Sequence, residues 1–332
     1  MKYLKDIENC RLCEWRCGVD RLAGETGICR MTLPQVASCT LHPAPPRSYT
    51  VFTAGCDFKC LNCQNWSIAH YPDNGEFVRG WVDPKDLALE CIYELRTSTA
   101  KAMGADRIFF SGGEPTIHLP YVEEVIREAR KFNPDTKVNF DTNGFLTKDS
   151  FRRVLNFTTS ITFDIKAYSD EAHRALTGAP VEPVLRNAEE LGKNREKLWE
   201  YRVLVIPGIT DEEVGAISEF IASIDPSLPV CFLSFRPNFV LENHPYANRR
   251  LMNRCVETAK KFGLENVYWS GSIGKEEKIR AGKRVREYKL DHARLAGSYA
   301  LLAKCATHPR DCGGCKSNQK CPLKRHIPQI IT

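Results

Sequence analysis

Short apolar runs rich in β-branched and aromatic residues alternate with amphipathic stretches along most of this chain. The stretches at 84–103 and 120–132 carry apolar residues at the i, i+3 and i+4 spacing of a helix. Repeated strand–helix units predict an α/β fold, and six units suit an open or partial (β/α)6 barrel with functional residues at the carboxyl ends of its strands. The predicted strands lie at 48–55, 107–113, 137–144, 160–168, 201–208 and 230–238, with a further candidate at 267–272.

The chain is long enough, at 332 residues and 42% hydrophobic content, to bury a substantial core. Length alone suggests about two domains, but α/β barrels often reach this size as one domain. We expect a cysteine-rich metal-binding segment at 1–48, a partial barrel at 49–272 and a basic, cysteine-rich extension at 273–332.

We expect neither export nor membrane insertion. The first residues, MKYLKDIENC, carry charges and lack the apolar core of a signal peptide, and no apolar run approaches the ~18 residues of a membrane span. Clustered cysteines in such a chain are typical of metal ligands rather than disulfides, which predicts a reducing, cytoplasmic location. The net charge of +6 permits an acidic protein or nucleic-acid partner without requiring one.

The fifteen cysteines carry the strongest chemical signal, because most of them are clustered. Three others, Cys91, Cys231 and Cys255, stand alone among apolar neighbours, which predicts small buried side chains. The clusters are an N-terminal cysteine set (Cys10, Cys13, Cys17 and Cys29, with Cys39 nearby), a central triplet (Cys56, Cys60 and Cys63) and a C-terminal cysteine set (Cys305, Cys312, Cys315 and Cys321).

The central triplet has a C-x3-C-x2-C spacing, one ligand short of a tetrahedral site. Three thiolates can hold three irons of a [4Fe-4S] cluster and leave the fourth iron open to the amino and carboxylate groups of a small ligand. At the end of the next predicted strand, Gly112 and Gly113 lack a Cβ and so permit close backbone approach to a ligand. The carboxylate of Glu114 can accept from an ammonium group.

The triplet and the SGGEP segment (Ser111 to Pro115) together resemble the two hallmark motifs of the radical S-adenosylmethionine (radical SAM) superfamily. The competing interpretation is a zinc knuckle followed by an ordinary glycine turn, which the presence of both motifs disfavours. The resemblance implies a [4Fe-4S] cluster that takes an electron from a low-potential donor of the ferredoxin or flavodoxin type. It then cleaves SAM to a 5′-deoxyadenosyl radical that abstracts hydrogen from carbon.

Three further segments, at 140–144, 163–178 and 201–214, resemble strand-end motifs of pyruvate formate-lyase-activating enzymes. Segment 235–269 resembles instead a branch called AmmeMemoRadiSam, and the N-terminal cysteine segment resembles that of both this branch and close homologues of the activating enzymes. Without the family match, the Asp-x-Lys pair at 164 and 166 reads as an internal ion pair. The SAM and cation contacts that these resemblances imply are Ser111, Gly112, Gly113, Glu114, Asp141, Thr142, Asn143, Asp164, Lys166, Arg202 and Arg236, of which Asp141 and Thr142 help to hold a monovalent cation.

One position departs from the family pattern. The residue before the third cysteine is usually aromatic and lies against the adenine of SAM, but here it is Asn62. Either Trp66 or Phe58 is then the candidate to contact the adenine.

The two outer cysteine sets leave several metals open. The N-terminal set suits a structural zinc or a rubredoxin-like iron better than a catalytic cluster. The C-terminal set weakly resembles part of the SPASM and twitch extensions of peptide-modifying radical SAM enzymes, and an auxiliary [4Fe-4S] cluster and a zinc knuckle are equally compatible with it. The basic run at 275–294 is either a solvated helix face or a docking surface for an acidic partner.

We therefore expect a radical SAM enzyme that modifies a residue in a partner protein or peptide. Within that class, glycyl-radical activation and C-methylation remain open, and methylation would require a carrier such as cobalamin, whose common D-x-H-x-x-G signature is absent. RNA modification is an alternative that only the mild basicity supports, since no nucleic-acid-binding module is evident. A non-catalytic iron–sulfur carrier would not need the SGGEP segment.

Replacement of Cys56, Cys60 or Cys63 by Ala should abolish SAM cleavage while the outer cysteine sets keep their metal, because each thiolate holds one iron of the open cluster. The measurement is 5′-deoxyadenosine release under anaerobic reducing conditions. If all three single variants still release it, the radical SAM interpretation fails.

Overall fold

A computed structural model describes residues 2–74, 77–273, 291–305, 307 and 309–329 of the chain. It contains an eight-stranded sheet in which the strands follow one another in sequence order, from β1 to β8. The strands are β1 (Val36–His42), β2 (Ser48–Thr53), β3 (Arg107–Gly112), β4 (Lys137–Thr142), β5 (Ser160–Asp164), β6 (Leu198–Val205), β7 (Val230–Ser234) and β8 (Val267–Ser270).

The sheet is mostly parallel and is not closed into a barrel. Strand β2 runs parallel to β3, β3 to β4, β6 to β7 and β7 to β8. The predicted α/β class with an open sheet is thus confirmed. The seven predicted strands, including the candidate at 267–272, correspond to β2 through β8.

Strand β1 was not predicted, and it pairs with β2 in antiparallel orientation. Its sequence, VASCTLH, mixes polar and small residues and lacks the continuous apolar run by which the other strands were recognised. On its other side, Val36 exchanges two backbone hydrogen bonds with Gly80, and Arg79 donates to the carbonyl of Ala37. Residues 79–80 therefore cover one end of this outer strand.

Helices follow most strands, as βα units require. The predicted helical stretch at 84–103 is divided at Thr97, whose extended backbone ends one helix while its hydroxyl caps the next by accepting from Ala100 N. The helices are α1 (Trp66–Ala69), α2 (Pro84–Arg96), α3 (Ser98–Met103), α4 (Leu119–Phe132), α5 (Lys148–Phe157), α6 (Asp170–Thr177), α7 (Glu182–Lys193), α8 (Val214–Ile224), α9 (Arg249–Lys261) and α10 (His292–Leu302).

The chain divides into two compact units. The first consists of Met1–Asp57 and Asn65–Thr162, and the second of Phe58–Gln64 and Phe163–Thr332. The three-part division expected from the sequence stays a prediction. Most of the basic run at 275–294 lies outside the described residues.

The lone cysteines Cys91, Cys231 and Cys255 are buried, which confirms their predicted role as small apolar side chains. No helix within the described ranges is long and apolar enough to cross a membrane.

Candidate functional site

The loop that carries Cys56 is joined by backbone hydrogen bonds to the end of β3. Gly113 N donates to Thr53 O over 2.9 Å, and Glu114 N donates to Gly55 O over 3.0 Å. The SGGEP segment therefore fixes the backbone immediately before the first cysteine of the triplet.

The two glycines of SGGEP permit this close approach of backbone to backbone. A Cβ on Gly113 would lie 1.9 Å from Gly55 O, and one on Gly112 would lie 2.3 Å from Thr53 N and O. Gly112 also has a backbone φ of +116°, a value that residues with a side chain rarely adopt. These glycines are predicted from the sequence to approach a ligand, and in the structure they also contact the chain's own loop.

Glu114 connects SGGEP to the D-T-N-G segment at the end of β4. Its carboxylate is 1% exposed and accepts from Thr116 N (3.1 Å), Thr142 Oγ1 (2.9 Å) and Asn143 N (2.8 Å). Burial raises the pKa of Glu114, and the nearby carboxylate of Asp57 raises it further. A buried carboxylate needs such donors, so this group holds two strand ends together.

A second contact joins the same strand ends, because the Ser111 hydroxyl donates to Asp141 Oδ2 over 2.7 Å. The amide of Asn143 reaches the triplet loop. Its Nδ2 donates to Asp57 Oδ1 over 2.7 Å and lies 3.9 Å from Cys56 Sγ. The structure thus brings Cys56 together with the predicted residues on β3 and β4.

Asp57 is a site residue that the sequence argument missed. It is fully buried, and burial raises the pKa of its carboxyl group, while the hydrogen bond from Asn143 lowers it. Its backbone oxygen accepts from Trp15 Nε1 over 2.9 Å, and the ring of Trp15 packs on Phe145 at 5.0 Å between centroids. The position next to Cys56 was the only signal in the sequence that pointed to Asp57.

The second unit contains the rest of the triplet loop. Lys59 N donates to Thr177 O and Leu61 N to Leu176 O, so the last turn of α6 holds the backbone on both sides of Cys60. The ring of Phe58 is 1% exposed and packs edge-on against His173. Trp66, in the first unit, is only partly buried. Of the two candidate residues for the adenine contact, Phe58 is thus buried and Trp66 is partly exposed.

The remaining predicted SAM contacts lie at the end of β5 (Asp164, Lys166), within β6 (Arg202) and after β7 (Arg236). Lys166 Nζ donates to Asp164 Oδ2 over 2.5 Å, so the ion pair exists and both groups remain partly exposed. Arg202 Nε donates to the buried carboxylate of Glu200 over 2.6 Å, while Arg236 is exposed. Arg202 O also accepts from Ile165 N, which joins β6 to the segment after β5.

Charges of both signs lie near Cys60. Burial raises the pKa of Cys60 to about 12, the charges of Lys166 and Arg310 oppose this rise, and the carboxylate of Asp164 adds to it. A neighbouring cation stabilises a thiolate.

The N-terminal cysteine set lines one cavity, together with Gly27 and the buried side chain of Arg21. Arg21 Nη1 lies 3.8 Å from Cys10 Sγ, and a Cβ on Gly27 would lie 2.6 Å from Cys17 Sγ. Burial raises the pKa of Cys13. In the C-terminal set, Cys312 and Cys321 are buried and Cys315 accepts from Thr307 Oγ1.

Within the described part of the chain, no three or more His, Cys, Asp or Glu side chains lie close enough to hold a metal ion.

Residues 50–221 match the family model of the radical SAM superfamily. The chain belongs to the radical SAM superfamily. The predicted resemblance is thereby confirmed at the level of the family. Membership implies a [4Fe-4S] cluster and SAM, and the donor set fits them, since three thiols share one loop with cations beside Cys60.

Two sequence relatives extend this result. An uncharacterized protein of Methanocaldococcus jannaschii, MJ0674, is 27% identical over 274 residues, which cover 79% of this chain and 77% of the relative. The pyruvate formate-lyase-activating enzyme of Staphylococcus epidermidis is 30% identical over 204 residues, covering 58% of this chain and 76% of that enzyme.

Among solved structures, Streptococcus suis SuiB bound to S-adenosylmethionine has a TM-score of 0.50 at 14% identity. The match covers 68% of this chain and 49% of SuiB. At this identity the likeness concerns the fold alone.

Gly113→Ala should lower the free energy of unfolding by about 1–3 kcal/mol, the range for an overfilled site, because the new Cβ meets a backbone oxygen that cannot rotate away. We expect SAM affinity to fall at least tenfold (~1.4 kcal/mol). The measurements are urea unfolding of the metal-free protein and SAM binding to the reconstituted protein. Gly314→Ala is the control, since its Cβ would have ordinary contacts at 3.5 Å. A folded Gly113→Ala variant with unchanged affinity contradicts the prediction.

Proposed function

We propose that this radical SAM enzyme modifies a residue of a partner protein by hydrogen abstraction. The hydrogen-bond network around Glu114 carries the proposal, because it joins SGGEP, the D-T-N-G segment and the loop of Cys56 in one buried unit. The similarity to an activating enzyme supports a protein substrate, since that enzyme's name identifies an enzyme as its target.

In this proposal the central triplet holds the [4Fe-4S] cluster through Cys56, Cys60 and Cys63. When bound, the cluster supplies the electron that splits SAM into methionine and a 5′-deoxyadenosyl radical. Ser111, Gly112, Gly113 and the backbone near Glu114 form the wall against the methionine part of SAM. The four hydrogen bonds that Glu114 accepts within the chain make it a rigid support of that wall.

Polar residues on and after strands β5 to β7 complete the proposed SAM site. Asp164, Lys166 and Arg202 bind its charged and hydroxyl groups, and Arg236 and Asn143 are further candidates. Asp141 and Thr142 supply oxygens for a monovalent cation, of the kind that hard cations prefer. The Asp164–Lys166 pair is partly exposed, so both of its charged groups are accessible to SAM.

Glycyl-radical activation is the reaction subtype that the relatives favour, because the curated relative named above is an activating enzyme. C-methylation with cobalamin and RNA modification remain predictions from the sequence.

We also propose a metal at the N-terminal cysteine set, with zinc or a single iron as the best candidates. The four thiols line one cavity, and a metal would draw them together. The buried guanidinium of Arg21, beside Cys10, balances the negative charge of four thiolates on a divalent ion. For the C-terminal set, zinc and an auxiliary [4Fe-4S] cluster stay equally open.

We also propose that the protein is located in a reducing cytoplasm and that its electron donor is a low-potential ferredoxin or flavodoxin. All fifteen cysteines, each of which lies in the described part of the chain, are thiols rather than disulfides.

The protein-substrate proposal predicts deuterium transfer to 5′-deoxyadenosine from deuterated protein. The anaerobic enzyme, SAM and a reductant are incubated with desalted lysate from cells grown in deuterated medium, so that protein and RNA both carry carbon-bound deuterium, and the product is analysed by mass spectrometry. Protease treatment of the lysate should remove the transfer, whereas ribonuclease should not. Transfer that survives protease and is lost with ribonuclease contradicts the proposal and favours RNA. The Cys63→Ala variant gives the background.

The metal proposal predicts that the chain with Cys56, Cys60 and Cys63 all changed to Ala still binds about one metal ion at the N-terminal set. In that background, Cys13→Ala should lose this metal, because one of the four ligands is gone. Cys91→Ala is the control, since Cys91 is buried within α2. Metal analysis of anaerobically purified protein makes the comparison, and equal metal content in all three proteins contradicts the assignment.

A further inference from the structure

The C-terminal cysteine-rich segment contacts the triplet loop through a buried arginine. Arg310 is 3% exposed, and its Nη2 donates to Lys59 O over 2.7 Å while its Nη1 donates to Ala175 O over the same distance. Lys59 lies between Cys56 and Cys60 in the sequence. The arginine therefore fixes the backbone immediately before a predicted iron ligand.

The side chain of Lys59 is held by the same segment. It is 1% exposed, and its Nζ donates to Asn318 Oδ1. Asn318 begins a short 3₁₀ helix, Asn318–Lys320, and its N–H donates to Cys315 O over 3.2 Å. The loop and the C-terminal cysteine set are thus linked by two separate side-chain contacts.

The end of α6 lies between these two elements. Its carbonyls at Leu176 and Thr177 accept from the loop, while Gly178 O accepts from Cys312 N over 2.8 Å. Gly178 has a φ of +84°, and a Cβ there would lie 2.3 Å from Cys312 Sγ. Such contacts leave little room for the loop to move independently of the C-terminal segment.

Arg310 and Lys59 are buried cations whose hydrogen bonds to the described residues go to carbonyl and amide oxygens. A buried charge is costly unless an opposite charge compensates it. Thiols of both cysteine sets lie near these cations: Arg310 is near Cys60, and Arg310 and Lys59 are both near Cys312.

We propose that Arg310 and Lys59 are positioning residues of the primary iron–sulfur site. The C-terminal segment holds both residues so that they fix the loop of Cys60 and Cys63, and Arg310 places positive charge near Cys60. The inference rests on the proposed radical SAM function. Positive charge near a cluster favours its reduced form, so these residues raise the reduction potential that the electron donor must meet.

The test compares Arg310→Met, Arg310→Lys and Asn318→Ala with Arg325→Met, which removes an exposed arginine of the same segment. Amide hydrogen exchange of the metal-free proteins reports the loop at Lys59 and Leu61. Potentiometric EPR of the reconstituted proteins reports the cluster whose signal changes when SAM is added, which separates it from any outer cluster.

In Arg310→Met we expect exchange at Lys59 and Leu61 to be about tenfold faster, and the reduction potential to become more negative. Arg310→Lys should keep the potential near that of the unchanged protein, because the charge remains. Asn318→Ala should speed exchange at Lys59 even if Arg310→Met fails to fold. Arg325→Met should change neither readout.

Unchanged exchange and potential in both Arg310→Met and Asn318→Ala overturn the inference, as does an equal shift in Arg325→Met. If the reduction potential of Arg310→Lys becomes as negative as that of Arg310→Met, the proposed role of the positive charge is wrong. An unchanged protein that never shows a SAM-sensitive EPR signal argues against the proposed function instead, so the two failures are distinguishable.

Discussion

The buried carboxylate of Glu114 is the constraint on which the first half of the site depends. A carboxylate that is almost fully removed from water must accept hydrogen bonds from the protein, and the donors here come from Thr116, Thr142 and Asn143. Those donors belong to two different strand ends. Satisfying the hydrogen bonds of one buried carboxyl group therefore fixes the spacing of two motifs that lie nearly thirty residues apart in the sequence.

The triplet loop is supported from both cysteine-rich flanks of the chain. In the first unit, Trp15 donates to Asp57 O, and in the second, Arg310 donates to Lys59 O. Each flank thus uses a side-chain N–H to hold a backbone carbonyl between Cys56 and Cys60. Both cysteine-rich flanks therefore contact the triplet loop through the protein chain itself, independently of any metal.

The sequence predicted the α/β class, seven of the eight strands and the family, because strand runs and motif spacings are local signals. It missed β1, whose polar composition hides its pairing with β2. The sequence did not reveal the roles of Asp57, Trp15 and Arg310, because these roles come from long-range contacts. Trp15 and Asp57 are separated by 42 positions in the chain, and Lys59 and Arg310 by 251. For Gly113, the sequence predicted close approach of the backbone to a ligand, and the structure adds a close approach within the chain, because a Cβ would meet Gly55 O.

The outer strand β1 has a further consequence for the behaviour of the protein at high concentration. A strand at the edge of an open sheet exposes backbone groups that can pair with a second molecule. Here Val36 and Ala37 already use such groups in hydrogen bonds with Arg79 and Gly80. That short cover blocks continuous strand addition along the start of β1, and so protects an open sheet from aggregation at that end of the strand.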